Sequence, residues 1–178
     1  MVDELVEVVN EKDEIVGKKM KSVCHLEGIW HRISCVILFN SQGKIWLQTR
    51  KKGKISEGLL DYSASGHIKA GQNYEDAAYR ELKEELGIKT KLTLLSLKTL
   101  YGKIDIEGNK VRHALRVYHG KNDGPFKIQE SELEKIEAYE LDKVKELVKE
   151  DSKLMTEGLK VGLSDFLGII RKKVKPQS

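Results

Sequence analysis

The chain has 178 residues, of which 39% are hydrophobic and 34% charged, a composition typical of one globular domain with its own core. The formal net charge of +4, from 32 basic and 28 acidic residues, does not indicate a nucleic-acid-binding protein. The two cysteines, Cys24 and Cys35, lack metal-site spacing and indicate no disulfide framework. With no apolar signal core at the N-terminus and no bilayer-length apolar run, we expect a cytoplasmic protein without membrane contact.

The first third of the chain predicts strands. Residues 5–9 and 15–16 flank a polar turn and predict a short hairpin. Residues 33–39 form a run that is apolar apart from Ser34, which is typical of a buried strand. A turn over 40–43 then leads into a returning strand over 44–50.

The clearest predicted helix covers residues 73–86. Asn73 is suited to cap its start, and Gly87 is suited to end it. Further strands are predicted over 92–100 and 111–119, with a turn at 107–109 between them.

The chain becomes helical from residue 141 onward. One apolar helix face is formed by residues that recur at spacings of three and four: Leu159, Leu163, Phe166, Leu167 and Ile170. Strands around a central helix, followed by helices, predict an α/β or α+β sandwich.

Three carboxylates, Glu81, Glu84 and Glu85, are related by spacings of three and four on the central helix. Like charges at this spacing destabilise a helix. Arg80 is placed to pair with Glu84, and a hard divalent cation would offset the repulsion better because such ions prefer carboxylate oxygens. A solvated helix face is the alternative interpretation of the same residues.

The spacing of the surrounding residues decides between these interpretations, because the stretch from 66 to 88 resembles the Nudix box. Eight of the nine positions specified by that motif match: Gly66, Arg80, Glu81, Leu82, Glu84, Glu85, Gly87 and Ile88. At the ninth position Gln72 stands where the family has glutamate. A match of this length is far more specific than a lone glycine motif.

The resemblance implies a role for each box residue. The side chains of Glu81, Glu84 and Glu85, with the carbonyl of Gly66, would hold Mg²⁺, or Mn²⁺ in its place. Arg80 would orient Glu81. Metal-bound diphosphate oxygens and an activated water would carry out the hydrolysis.

The general base is expected among three glutamates. Glu81 is preferred, with Glu132 second and Glu130 third, because a loop glutamate in this region serves as the base in many members of the family. Gln72 cannot serve as a base. Either its missing charge weakens metal binding, or the residue only orders the loop before the helix.

The resemblance extends from about residue 5 to residue 172, to a bacterial branch of Nudix hydrolases related to isopentenyl-diphosphate isomerase. It implies one Nudix domain over 1–178, with an N-terminal extension (1–28), the box (66–88) and C-terminal helices (141–173). In this fold the box helix lies on one face of a mixed sheet.

The expected substrate is a small molecule in which a nucleoside diphosphate is linked to another group. His67, Tyr101 and Phe126 are candidates for contacting it, although aromatic residues serve equally well in a core. A homodimer is left open.

Two alternatives to a hydrolase fit parts of the sequence. An isomerase would need a cysteine and a glutamate for proton transfer, and Ser65 and His113 stand near those positions. His67, His31 and, more loosely, His25 resemble metal histidines of that enzyme, although ordinary structural histidines are the preferred interpretation of His25 and His31. A diphosphate sensor without catalytic activity is the second alternative, which the three intact glutamates disfavour.

Overall fold

The computed structural model describes residues 3–104 and 110–168. These residues form strands and helices in the following chain order: β1 (Leu5–Val9), β2 (Ile15–Met20), α1 (Lys21–Glu27), β3 (His31–Phe39), β4 (Ile45–Arg50), β5 (Leu60–Asp61), β6 (Ala64–His67), α2 (Tyr74–Leu86), β7 (Thr93–Ile104), β8 (Lys110–Lys121), β9 (Leu133–Tyr139), α3 (Leu141–Lys149) and α4 (Glu157–Leu167).

Strand β3 is the centre of the mixed sheet. It runs parallel to β8 along its whole length, and its Ile33–Val36 segment pairs antiparallel with β6. The returning strand β4 contacts β3 only at Leu38–Trp46 and Phe39–Ile45 and then pairs with β9. The predicted hairpin at residues 33–50 is therefore paired only beside its turn, because β6 occupies the same edge of β3 further along.

Helices cover both faces of this sheet, which confirms the predicted α+β sandwich. Side chains of a strand alternate between faces, so Cys35 and Ile37 of β3 pack with α3 and α4, whereas Val36 and Leu38 pack with α2. A strand buried on both faces carries a near-continuous apolar run, and residues 33–39 are apolar apart from Ser34.

The two best-defined helix predictions agree with the structure. The Asn73 side chain accepts a hydrogen bond from the amide of Asp76, and Gly87 ends α2 with a φ of 68°. Leu159 and Leu163 of α4 are fully buried. The predicted turn at 107–109 and the predicted helical residue Ile170 lie outside the described residues.

Helix α1 was not predicted from the sequence. It has only 7 residues, it begins without a side-chain cap, and Cys24 is its one buried residue, so it offers no apolar periodicity. Gly28, with a φ of 68°, ends it and returns the chain to β3. None of the helices in the described ranges is long and apolar enough to cross a bilayer.

Candidate active site

The box helix α2 presents its glutamates in two different environments. Glu81 and Glu85 are only 7% and 6% exposed, because they lie beside the apolar residues that face the sheet. The Glu84 side chain is 47% exposed and points to solvent. The three carboxylates therefore differ in exposure, because the buried face of the helix extends to Glu81 and Glu85 but not to Glu84.

Glu81 is seated against the backbone of β6. A Cβ added to Gly66 would lie 1.7 Å from Glu81 Oε1, so only glycine leaves room for this carboxylate. Burial raises the pKa of Glu81 to about 7, against the opposing effect of the Arg80 charge. A carboxyl group with this pKa can exchange a proton near neutral pH.

Glu85 lies one turn further along α2 and contacts Gln48 of β4 and Ser65 of β6. It accepts hydrogen bonds from the Ser65 amide at 3.2 Å and from Gln48 Nε2 at 3.4 Å. Burial raises its pKa well above 4.5, and the charge of Glu81 adds to this. The other amide atom, Gln48 Oε1, is buried with no hydrogen-bond partner among the described residues.

Arg80 connects the box residues to one another. Its Nη1 contacts Glu81 Oε1 at 2.7 Å and Glu84 Oε2 at 2.9 Å, while Nη2 donates to the carbonyl of His67. Its Nε donates to Gln72 Oε1 at 3.3 Å. The guanidinium group thus supplies the positive charge between two carboxylates, and Gln72 helps to orient it.

The acidic loop that precedes β9 contains the two glutamates predicted as alternative bases, Glu130 and Glu132, and only Glu132 interacts electrostatically with Glu85. Glu132 forms a 2.8 Å ion pair with Lys54, and its charge contributes to the raised pKa of Glu85. Glu130 is exposed. Of these two residues, Glu132 is the one with an electrostatic connection to the box.

The three predicted substrate contacts are dispersed. Phe126 packs edge-on against Trp46, with ring centroids 5.0 Å apart, and joins the apolar cluster beneath α2. Tyr101 belongs to β7, and its side chain lies outside the described residues. His67 points into a cluster of histidines on the other side of Gly66.

That cluster brings together His25, His31, His67 and His113. One ring nitrogen from each lies within 4.8 Å of the others, and among the described residues no other group of three or more His, Cys, Asp or Glu converges in this way. Burial lowers the pKa of His31 to about 4 and those of His67 and His113 well below 6.5, so these three rings are neutral at pH 7.

A family model of the NUDIX domain matches residues 30–158. The chain belongs to the Nudix family. A relative, the isopentenyl-diphosphate Delta-isomerase of Serratia proteamaculans, is 33% identical over 125 residues, or 69% of each chain. An uncharacterized Nudix hydrolase of Pseudomonas aeruginosa is 32% identical over 131 residues, covering 73% of this chain and 75% of that protein.

The solved structures agree on the Nudix fold. The crystal structure of DR0079 from Deinococcus radiodurans superposes with a TM-score of 0.75 and 22% identity, covering 92% of this chain and 99% of that one. At this identity the likeness concerns the fold alone. The family model and the relatives named as Nudix hydrolases support a hydrolase that cleaves pyrophosphate bonds.

Within this Nudix domain, the sequence had indicated the box residues through their spacing. The sequence does not indicate the fourth histidine of the cluster, because His113 stands near the position of a catalytic glutamate of the isomerase and has no local pattern that links it to the other three. The signal that could have found it is strand register, since His113 lies opposite His31 on the parallel strand β8.

Proposed function

We propose that this Nudix domain, taken as one unit over 1–178, hydrolyses the diphosphate bond of a nucleoside diphosphate linked to another group. The observation that carries the proposal is the pair of buried glutamates, Glu81 and Glu85, on the box helix. Two carboxyl groups buried this close together are costly in a purely structural role. A divalent cation bound beside them would make their ionised forms favourable.

The donors here fit a hard cation such as Mg²⁺. Carboxylate oxygens and neutral carbonyl oxygens are the ligands that Mg²⁺ and Mn²⁺ prefer. Glu81, Glu85 and the carbonyl of Gly66 would hold the ion, with Glu84 at the exposed rim. Gln48 Oε1 is a further neutral oxygen beside Glu85. When bound, the ion supplies charge neutralisation for the diphosphate and lowers the pKa of a nearby water.

The residues of this chain then position the water and accept its proton. Arg80 fixes the orientation of Glu81 through the 2.7 Å contact, and Gly66 leaves the space that this orientation needs. We assign the proton-accepting role to Glu81 because its carboxyl group lies buried against Gly66 and is held in one orientation by Arg80. Glu132 is held by Lys54, which also places a positive charge where a substrate phosphate could be bound.

The proposed function is tested by a turnover screen with Mg²⁺ and with Mn²⁺. The substrates are nucleoside diphosphates, dinucleoside polyphosphates and nucleotide sugars. Removing a general base typically lowers the rate by about 10²–10⁴-fold, and we expect this loss for Glu81→Gln but not for Glu132→Gln. A larger loss of rate for Glu132→Gln than for Glu81→Gln would assign the proton-accepting role to Glu132. A folded protein that binds these compounds without cleaving any of them would support the sensor instead.

Isomerisation of isopentenyl diphosphate is the second candidate function, and two observations favour it: the Serratia relative and the assembled histidines. Ser65 argues against it, because a hydroxyl is a much weaker acid than a thiol at neutral pH. Incubation with isopentenyl diphosphate in deuterated water should therefore give no deuterium in the allylic product. Exchange that disappears in Ser65→Ala would replace the hydrolase proposal.

A further inference from the structure

Strand β1 lies beside the loop that leads from β6 into the box helix, here named the box loop (residues 68–72). Val6 forms an antiparallel bridge with Lys69. The carbonyl of Leu5 accepts a hydrogen bond from the Ala70 amide at 2.9 Å. The N-terminal strand is therefore bonded directly to the loop that carries the start of the box helix.

The box loop ends in a tight turn that depends on β1 for two hydrogen-bond acceptors. The amide of Gln72 donates to the carbonyl of Lys69 at 2.9 Å, and Gly71 has a φ of 86°, which is typical of the third residue of a type II turn. The amides of the two central residues are not used by the turn itself. That of Ala70 bonds to the backbone of β1, and that of Gly71 donates to Glu7 Oε1 at 3.1 Å.

The Glu7 carboxylate is buried and is held from its other side. Only 9% of the side chain is exposed, and its Oε2 accepts from Arg32 Nη1 at 3.2 Å. Arg32 in turn donates from Nε to Asp13 Oδ1 and from Nη2 to the Asp13 carbonyl, both at 2.6 Å. Asp13 Oδ1 also lies 3.0 Å from the hydroxyl of Tyr74, the first residue of α2. A carboxylate fixed in this way presents its second oxygen to Gly71 in one orientation.

The far end of the box loop contacts the arginine of the box. Arg80 donates from Nε to Gln72 Oε1 at 3.3 Å and from Nη2 to the His67 carbonyl at 2.9 Å. Its Nη1 contacts Glu81 Oε1 at 2.7 Å. Because the turn places Gln72, a continuous series of hydrogen bonds leads from Glu7 through the box loop to Glu81.

We infer that Glu7 is a positioning residue for the hydrolysis: through the Gly71 amide it fixes the turn that orients Arg80, and thereby the Glu81 carboxylate. Glu7 precedes residue 30, where the match to the family model begins, so membership of the family does not assign it this role. The inference rests on the proposed function, and the groups that touch metal and substrate remain those of the box. Without Glu7 the turn loses one of its two anchors on β1, and Glu81 occupies its position for a smaller fraction of the time.

The variant Glu7→Ala tests this role, because it removes the acceptor of the Gly71 amide. Arg32 keeps its bonds to Asp13, so no buried charge is left without a partner and the protein should fold. Outer partners of metal-binding groups typically contribute about 10–100-fold, and from a position further out we expect the lower end. With Mg²⁺, kcat should fall by about 10-fold and KM should stay unchanged. The Kd of Mn²⁺, measured by electron paramagnetic resonance without substrate, should rise by about 10-fold.

Three further variants separate positioning from general effects. Glu14→Ala is the matched control, since Glu14 lies in the same hairpin, is exposed and accepts from Asn10 of that hairpin; kcat and the Mn²⁺ Kd should be unchanged. Glu7→Gln keeps an oxygen for the Gly71 amide and should recover most of the lost kcat. In a Gln72→Ala background, Glu7→Ala should cost clearly less than it does alone, because residues that act along one series of contacts are not additive.

A purely structural role for Glu7 gives a different result. Glu7→Ala would then lower the Tm, whereas the folded protein, assayed well below its Tm, would keep the kcat and the Mn²⁺ Kd of the unaltered protein. That outcome would overturn the inference, as would equal losses in Glu14→Ala. Absence of turnover in the unaltered protein refutes the proposed function instead, and the Mn²⁺ titration still decides whether Glu7 positions the box.

Discussion

Replacing Gly66 with alanine tests whether catalysis depends on the position of the Glu81 carboxylate against Gly66. The added Cβ would lie 1.7 Å from Glu81 Oε1, whereas real Cβ contacts essentially never fall below 3.0 Å. The carboxylate must therefore retreat by at least the difference, 1.3 Å, and its 2.7 Å contact with Arg80 would be lost or rebuilt. Because the clashing atoms are the end of a flexible side chain, the backbone of β6 can stay in place.

The expected loss is catalytic rather than structural. Misplacing a reacting group by about 1 Å can lower turnover by about 10²-fold, so we expect Gly66→Ala to lose at least that factor in kcat. The stability loss should be about 1 kcal/mol, as for a typical single substitution, which lowers the Tm by about 2–4 °C. Turnover of a nucleoside diphosphate derivative and thermal unfolding measure the two effects separately.

Two further variants make the test specific. Gly158→Ala, on α4, is the control because a Cβ there meets nothing within 4 Å, and its kcat should be unchanged. The double variant Gly66→Ala/Glu81→Asp carries a shorter carboxylate, which relieves the clash and should recover part of the lost turnover. A correctly folded Gly66→Ala enzyme with normal kcat would refute the conclusion that the Glu81 position matters.

Two other predictions concern charge at the box. Burial raises the pKa of Glu81 from 4.5 to about 7, so the folded, metal-free protein retains a proton that the unfolded chain loses. The contribution of Glu81 to the free energy of unfolding should therefore fall by on the order of 3 kcal/mol as pH rises from about 4.5 to 7, whereas the buried histidines, whose pKa values are lowered, change the free energy in the opposite direction. Urea titrations with chelator isolate the Glu81 contribution as the difference between the unaltered protein and Glu81→Gln. Since Gln72 Oε1 accepts from Arg80, Gln72→Glu should add an ion pair worth about 0.5 kcal/mol and leave the Mg²⁺ concentration for half-maximal turnover unchanged. A clearly lower Mg²⁺ requirement in that variant would show that a charge at position 72 reaches the metal.

The sequence by itself determined the features that depend on near neighbours. The Asn73 cap and the ending glycine, Gly87, act within one helix, so their positions predict the limits of that helix. The box spacing likewise identifies the family, because it fixes chemical groups at successive turns of that helix. The run over 33–39, which is apolar apart from Ser34, indicates that β3 is buried on both faces, whatever its partners are.

Tertiary structure alone decided which groups meet. Helical spacing places Glu81, Glu84 and Glu85 near one another. The packing of β6 and Gln48 against α2 buries Glu81 and Glu85, whereas Glu84 pairs with Arg80 and is exposed to solvent. The histidine cluster depends still more on long-range pairing. The parallel register of β3 with β8 sets His31 against His113, and a short unpredicted helix adds His25. No local pattern encodes such a register, since it follows from how the two faces of the whole sheet are buried.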